Sequence, residues 1–101
     1  MINVIATIEI KPGTRPQFLA LMNELVPTVL AEQGCVEYFP AVDVEANLDA
    51  QAKAENVVTM IEKWESLDAL HAHLKAPHMN TFRENAAAII EGLTLKVLEK
   101  A

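Results

Sequence analysis

The stretch VVTMIEKWESLDALHAHLKAPHM, residues 57–79, contains the sequence signals that decide the fold. Residues 57–64 form the most β-prone run of the chain and alternate between two sets of side chains, as a strand does. Ser66 then occupies an N-cap position, where its hydroxyl can accept from the first amides of a helix. Pro77 interrupts that helix because proline lacks an amide donor. The stretch therefore predicts a strand, a capped helix and a further amphipathic helix over about residues 78–91.

The N-terminal third of the chain predicts a strand followed by a helix. Residues 2–10 alternate with the period of two that is typical of a strand. Thr14, followed three residues later by Gln17, predicts a capping box, and Pro27 predicts a kink within the helix. The inner stripe of this helix consists of Phe18, Leu21, Met22, Leu25 and Val29. Gly34 predicts the end of the helix.

The rest of the chain completes the order of elements. Residues 35–43 predict a second strand, and residues 44–56 form a polar, alanine-rich connection that is interpreted as either a lid or a short helix. Gly92 predicts the end of the last helix, before a final strand in LTLKVLE, residues 93–99. The order β-α-β-β-α-β, in a single domain of residues 1–101, is typical of a ferredoxin-like α+β fold with an antiparallel sheet and helices on one face.

One face of the predicted sheet has no helices to cover it. The residues expected on that face are Ile5, Ile61 and Leu98, among Thr7, Thr59, Lys63, Thr94 and Lys96. Such a face is too apolar to be exposed to water in a monomer. We therefore expect a symmetric homodimer in which the two sheets pack together.

Composition excludes several classes of partner. The net charge is −6 and the pI is near 4.9, so the protein has no overall positive potential that would attract phosphates or anionic lipids. Neither nucleic acid nor a membrane surface is therefore expected as a partner. No apolar run is long enough to cross a bilayer, and the N-terminal residues lack the features of a signal peptide. The single cysteine, Cys35, cannot form an internal disulfide. We therefore expect a cytoplasmic protein.

A carboxylate and an indole are expected to point into the core from the same face of the third strand. Val58, Met60, Glu62 and Trp64 form the alternating set that suits the helix-facing side. An apolar surrounding disfavours the charged form of a carboxyl group, so Glu62 is a candidate site residue. The alternative roles are structural: Glu62 as a hydrogen-bond acceptor and Trp64 as a core side chain.

All three histidines lie close behind this tryptophan. His71 and His73 cannot share one ligand or metal, because residues two apart in a helix point roughly 200° apart. His78 follows Pro77, where its ring can reach over the sheet or act as a capping group. A histidine in a dry pocket can take a proton from a hydroxyl group. Periodicity alone does not choose between these histidines.

The sequence lacks the common cofactor-binding motifs. It has no glycine-rich phosphate loop, no GxSxG, no HExxH and no pair of cysteines. Its glycines, at positions 13, 34 and 92, are all assigned to turns or helix ends. We therefore expect no nucleotide, flavin or metal cofactor, so that any chemistry depends on the substrate.

Three motifs carry a resemblance to a known family: IKPG at 10–13, VPTVLAEQGC at 26–35, and IEKWESLDALHAHLKAPHM at 61–79. Together they span nearly the whole chain, and the last is the specific one. On these motifs the sequence resembles the antibiotic biosynthesis monooxygenase (ABM) superfamily, and within it the small bacterial quinol monooxygenases. The resemblance implies a dimeric α/β barrel. It also implies oxidation of a hydroquinone or related phenol by molecular oxygen without metal, flavin or haem.

The resemblance further implies roles for individual residues. The family histidine corresponds to His73, and the family's Pro-His pair corresponds to Pro77 and His78. We hypothesise that His73 or His78 removes a proton from a quinol and that Glu62 orients that imidazole. The side chains expected to enclose the substrate ring are Tyr38, Trp64, Met79 and Phe82.

Two other functions are compatible with the same fold. One is a non-catalytic ligand-binding dimer, because fold alone does not specify chemistry. The other is an isomerase-type relative that acts on a phosphorylated autoinducer sugar. Such a relative needs a cationic or amide-rich pocket for phosphate, and the sequence shows no basic cluster.

Overall fold

In the computed structural model, which describes residues 1–101, the chain forms a four-stranded sheet with three helices on one face. The elements in chain order are β1 (Ile2–Ile10), α1 (Arg15–Leu30), β2 (Cys35–Ala41), β3 (Val57–Trp64), α2 (Leu67–Lys75), α3 (Pro77–Ala86) and β4 (Ile90–Leu98). This order confirms the predicted ferredoxin-like α+β fold. Pro77 begins α3, at a position where a missing amide donor costs no hydrogen bond.

All strand pairs are antiparallel, and the strand order is β2-β3-β1-β4. Ile5 lies opposite Ile61 in the β1–β3 pair, and Leu98 lies opposite Asn3 in the β1–β4 pair. Because side chains alternate across a strand, these residues share the face of the sheet that has no helices. The residues predicted for that face therefore do lie together on it.

The core lies between the other face of the sheet and the helices. Its contributions from β1 and α1 are Val4, Ala6, Ile8, Ile10, Phe18, Met22, Leu25 and Val29. The inner stripe of α1 is thus buried as predicted, except that Leu21 is only partly buried. Phe18 in α1 meets Phe82 in α3 edge to face, with ring centroids 5.9 Å apart. Such a pair contributes about 0.5–1.5 kcal/mol beyond its burial, and here it joins the first and last helices.

The helix starts follow the prediction at α2 but not at α1. The Ser66 hydroxyl accepts a hydrogen bond from the amide of Ala69 at 3.1 Å, so Ser66 caps α2 as predicted. The predicted capping box of α1 is wrong, because the Thr14 hydroxyl donates to the carbonyl of Lys11 at 2.5 Å and makes no capping bond. Pro27 lies within α1, which nevertheless continues beyond it.

Several predicted element ends are wrong. α3 ends at Ala86 rather than at residue 91, and a turn over 87–89 leads into β4. Gly92 lies within β4, opposite Glu9, instead of ending a helix. A Cβ at Gly92 would lie 2.6 Å from a carboxylate oxygen of Glu9, so the glycine leaves room for that side chain across the strand pair. β2 ends at Ala41 rather than at residue 43.

The connection between β2 and β3, residues 42–56, contains no helix, which excludes the predicted short helix. Its own side chains stabilise this segment through an ion pair and a hydrogen bond. Lys53 Nζ lies 2.6 Å from Glu45 Oε2, and the amide of Ala54 donates to Asp43 Oδ2 at 2.7 Å. None of its residues lines the cavity described below, so the predicted lid stays a prediction.

β4 is an edge strand whose helix-facing side is only partly covered. Its apolar residues on that side, Leu93, Leu95 and Val97, are 60%, 41% and 46% exposed. A contiguous exposed apolar strip of this kind is typical of a binding surface. None of the three helices has the length and apolar composition needed to cross a membrane.

Candidate active site

A cavity of about 100 Å³, open along β4, lies between the helix-facing side of the sheet and helices α2 and α3. Its polar lining consists of Tyr38, Glu62, His73 and Arg83. Its apolar lining consists of Ala6, Ile8, Met22, Met60, Leu74, Met79, Phe82, Ile90, Leu93 and Leu95. A mostly apolar cavity with a few convergent polar groups is the usual form of a small-molecule site.

Glu62 and Trp64 point inward from β3, and both are buried. Trp64 Nε1 donates a hydrogen bond to Glu62 Oε1 at 3.0 Å. Burial raises the pKa of the Glu62 carboxyl above its ordinary value, while the hydrogen bond from Trp64 and, when His73 is protonated, the positive charge of its ring oppose that rise. The nearby charge of Glu32 adds to it. Glu62 therefore lines the cavity as a carboxyl group biased toward its neutral form.

The imidazole of His73 is held from several sides. The residue lies near the end of α2 and is 1% exposed. Its ring packs against Trp64, with centroids 4.6 Å apart, and meets Tyr38 nearly edge-on at 5.4 Å. Its Nδ1 lies 2.8 Å from Glu32 Oε2. Because Nδ1 is already paired, Nε2 is the nitrogen that is left for a substrate.

His78 occupies a different environment from His73. Its ring lies in the first turn of α3 and borders an open groove of about 290 Å³ between α1 and α3, instead of the cavity described above. Its Nε2 lies 2.8 Å from the same Glu32 oxygen that faces His73. The two histidines proposed from sequence are thus linked through one carboxylate, but only His73 reaches the cavity.

The hydrogen bond that the sequence interpretation assigned to Glu62 is made by Glu32 instead. Glu62 Oε1 accepts from Trp64, whereas Glu32 approaches His73 from the turn between α1 and β2. The sequence offered no local signal for Glu32, because its partners lie 41 and 46 positions further along the chain. Only the packing of α1 beside α3 brings them together.

The residues expected to enclose a substrate ring divide into two groups. Tyr38, Met79 and Phe82 line the cavity, whereas Trp64 is fully buried behind His73 and does not. Burial raises the pKa of the Tyr38 hydroxyl above its ordinary value, and the charges of Glu62 and Glu32 add to that rise. Tyr38 therefore stays a neutral hydroxyl that can donate to a ligand oxygen.

Arg83 is a cavity residue that sequence reasoning missed. Its guanidinium donates to Asn80 Oδ1 at 3.0 Å and to the carbonyl of Leu74 at 2.9 Å, which holds it at the edge of the cavity. It is the one cationic side chain of the lining that carries a permanent charge. A single arginine at an otherwise apolar cavity can stabilise an anion that forms there.

Cys35 is not a candidate nucleophile. Burial raises the pKa of its thiol to about 11, and the negative charges of Glu32 and Glu62 act in the same direction. The reactive thiolate is therefore disfavoured at neutral pH.

Glu32, His73 and His78 are also the one cluster of metal-ligand side chains, with donor atoms within 4.8 Å of one another. In this arrangement both imidazole nitrogens face a single carboxylate oxygen at hydrogen-bond distance. Without an ion, these contacts pair the three groups with each other through two hydrogen bonds. An ion at this point would have to replace both hydrogen bonds.

Comparison with known proteins shows the family to which the sequence is similar. The family model described as antibiotic biosynthesis monooxygenase matches residues 1–85. The chain is 39% identical over 101 residues to the "Probable quinol monooxygenase YgiN" of Escherichia coli K12, covering 98% of this chain and 97% of that protein.

Solved structures agree at the level of the fold. The crystal structure of PA3566 from Pseudomonas aeruginosa matches with a TM-score of 0.81 and 25% identity, over 99% of this chain and 93% of that one. A crystal structure described as an antibiotic biosynthesis monooxygenase matches with a TM-score of 0.81 and 25% identity, over 100% and 99% of the two chains. The family match, the sequence identity and the fold agree, and the chain belongs to the antibiotic biosynthesis monooxygenase family.

Proposed function

We propose that this protein oxidises a hydroquinone or similar phenol with molecular oxygen, without a metal or organic cofactor, and that His73 is the general base. One observation carries the proposal: a buried imidazole, paired with a carboxylate at Nδ1, lines an apolar cavity. A histidine in such a setting can remove a proton from a bound hydroxyl group. The similarity to a protein named as a quinol monooxygenase supports the substrate class.

The reaction balances with the substrate and oxygen alone. Nε2 of His73 takes one quinol proton, and the electron-rich quinolate transfers an electron to O₂, giving a semiquinone and superoxide. Recombination forms a C–O bond and leaves a peroxide anion, which the proton returned from Nε2 converts to a hydroperoxide. The O–O bond then breaks as the hydrogen on the same ring carbon leaves with the outer hydroxyl group as water, and that carbon becomes a carbonyl. The product is a hydroxylated quinone. General base catalysis of this type contributes on the order of 10²-fold to 10⁴-fold.

The other polar groups of the lining have distinct parts in this proposal. Tyr38 donates its hydroxyl to an oxygen of the substrate, and Arg83 stabilises the quinolate charge. Glu62, which burial biases toward the neutral form, donates to the second substrate oxygen. Trp64 contributes indirectly, because it holds Glu62 through Nε1 and supports the ring of His73.

The size of the cavity limits the substrate. Its volume of about 100 Å³ is below the ~300–1,000 Å³ typical of ligand pockets, which favours a compact ring over a large polycyclic one. Leu93 and Leu95 border the cavity and are exposed, so the site is open along β4. A larger quinol would extend along this strip.

We also propose that the protein is a symmetric homodimer formed through the helix-free face of the sheet. Ile5 and Ile61 lie side by side on that face, and the large apolar side chains of Phe39 and Leu98 are 43% and 47% exposed. Packing two such faces together removes this apolar surface from water.

The test of the function is oxygen consumption by metal-stripped protein with a panel of benzo- and naphthohydroquinones. We expect turnover faster than autoxidation, and its loss in His73→Asn, with the exposed His71→Ala as a matched control on the same helix. Circular dichroism would show that each variant is folded. Failure of the wild-type protein to exceed buffer with every quinol would refute the proposal.

The two alternative functions make different demands on the cavity. A binding module would hold quinones with no oxygen consumption by the wild-type protein. An isomerase for a phosphorylated sugar needs several groups for phosphate, whereas Arg83 is the one permanently cationic side chain of the lining. The quinol reaction is therefore the function that the site supports best.

A further inference from the structure

We propose that Glu32 is the positioning residue of the site, because it holds His73 in the tautomer that carries a proton on Nδ1. The inference rests on the proposed function and extends it to a residue on another element. In this tautomer the lone pair of Nε2 is free for a substrate hydroxyl. Without Glu32 the imidazole could present an N–H to the substrate, and an N–H cannot act as a base.

The tautomer follows from the geometry at Nδ1. Glu32 Oε2 lies 2.8 Å from this nitrogen, and an ionised carboxylate has only acceptor capacity. The hydrogen bond therefore requires a proton on Nδ1. A neutral imidazole has one ring proton, so Nε2 is left with its lone pair. The only hydrogen bond of the His73 ring to a protein group is the one at Nδ1.

No other neighbour of His73 forms a hydrogen bond that determines which of its two ring nitrogens carries the proton. Trp64 and Tyr38 pack against the ring and restrict its plane, but they form no hydrogen bond to it. Glu62, the carboxyl group on the cavity side, accepts from Trp64. The selection depends on Glu32, which enters from the turn after α1.

His78 holds Glu32 in place. Its Nε2 lies 2.8 Å from the same Oε2, so donors from α2 and α3 approach one oxygen from two sides. The side chain of Glu32 is 14% exposed and that of His78 is 27% exposed, so this pair closes the outer side of the site. His78 therefore acts on Glu32 rather than on the substrate.

The proton cycle is complete within this arrangement. When Nε2 takes the quinol proton, the Nδ1 proton stays in its bond to Glu32, and an imidazolium–carboxylate pair forms around the buried ring of His73. The same Nε2 returns its proton to the peroxide oxygen formed from O₂. His73 ends the turnover neutral, and no proton needs to leave through Glu32.

The first experiment reads the tautomer without any substrate. Long-range ¹H–¹⁵N NMR spectra of the ¹⁵N-labelled full chain distinguish protonated from lone-pair ring nitrogens for each histidine. We expect a protonated Nδ1 and a lone-pair Nε2 for His73 in the wild-type protein and in the His71→Ala control. Glu32→Ala should shift His73 toward protonation at Nε2. A wild-type His73 protonated at Nε2, or an unchanged tautomer in Glu32→Ala, would overturn the inference.

The second experiment separates this inference from the proposed function. In quinol-dependent oxygen uptake, Glu32→Ala and the nearly isosteric Glu32→Gln should lower kcat on the order of 10²-fold while KM changes little. An active wild-type protein with undiminished kcat in both variants refutes the role of Glu32 and leaves the function standing. An inactive wild-type protein with the expected tautomers refutes the function and leaves the positioning of His73 standing.

Discussion

Replacing Trp64 with phenylalanine removes the one donor that offsets the burial of Glu62. Trp64 is 0% exposed, and its Nε1 donates to Glu62 Oε1 at 3.0 Å. Leaving a buried acceptor without its partner costs about 1–3 kcal/mol. The smaller ring leaves a cavity that adds about 1 kcal/mol at ~24 cal/mol per Å³. We therefore expect Trp64→Phe to lower the free energy of unfolding by about 2–4 kcal/mol at neutral pH.

Part of this loss should depend on pH, with a defined sign. The pKa of Glu62 is raised in the folded protein above its ordinary value of 4.5, so the folded state binds more protons than the unfolded state between the two values. Stability therefore falls as pH rises through that window. The hydrogen bond from Trp64 limits the rise in pKa. Removing this hydrogen bond raises the pKa of Glu62 in the folded protein further. The difference in free energy of unfolding between the variant and the wild type should therefore be larger at about pH 8 than at about pH 5.

Urea unfolding followed by far-ultraviolet circular dichroism at both pH values measures this difference, since the variant lacks tryptophan fluorescence. Changes in the titration of other groups largely cancel between the two proteins. Glu62→Gln and the double variant form the control cycle, because glutamine cannot ionise and the pH-dependent part should then disappear. If Trp64→Phe lowers the free energy of unfolding equally at the two pH values in the protein that retains Glu62, the account of Glu62 as a buried carboxyl group stabilised by Trp64 is refuted.

Three further predictions concern the fold and the assembly. Ser66→Ala removes the cap of α2 and should cost about 1 kcal/mol in chemical denaturation, whereas Ser66→Asp should retain most of the stability. Gly34→Ala should cost more than Gly13→Ala: both have positive φ, which costs about 1–2 kcal/mol, but only at Gly34 would a Cβ lie 2.6 Å from that of Ala69. Equal melting temperatures for these two variants would contradict that view. Ile61→Asp on the helix-free face should convert the dimer to a monomer in light scattering, whereas Leu30→Asp, exposed on α1, should not. A wild-type monomer would exclude the dimer.

Local sequence signals predicted most of the architecture. The alternation in β1 and β3 needs only the pleat of a strand, and the start of α2 needs only one hydroxyl beside free amides. The errors arose where a local signal had a stronger partner elsewhere. Thr14 bonds to the preceding turn, and Gly92 meets Glu9 on the neighbouring strand. Neither partner can be read from the residues on either side.

The candidate site was predicted in part for the same reason. The alternation of side chains along β3 was enough to predict that Glu62 faces the helices. The cavity lining also includes four other predicted residues, Tyr38, His73, Met79 and Phe82. Helical periodicity could not separate the roles of His73 and His78, because each histidine flanks the apolar positions of its helix in the sequence, and only the structure shows that His73 is buried. Their separation into the cavity and an outer groove depends on how α3 turns away from α2 at Pro77.

The sequence by itself determined which side chains leave each strand and helix in which direction, because those directions follow from backbone geometry within a few residues. Tertiary structure alone decided that Glu32 would meet His73 and His78 across 41 and 46 positions. That contact forms because the apolar stripe of α1 packs on the sheet beside α3, and burial of apolar surface carries no information about which polar groups it brings together. The helices and strands could therefore be predicted from the sequence, whereas the carboxylate that orients the proposed base could be identified only from the tertiary packing of those elements.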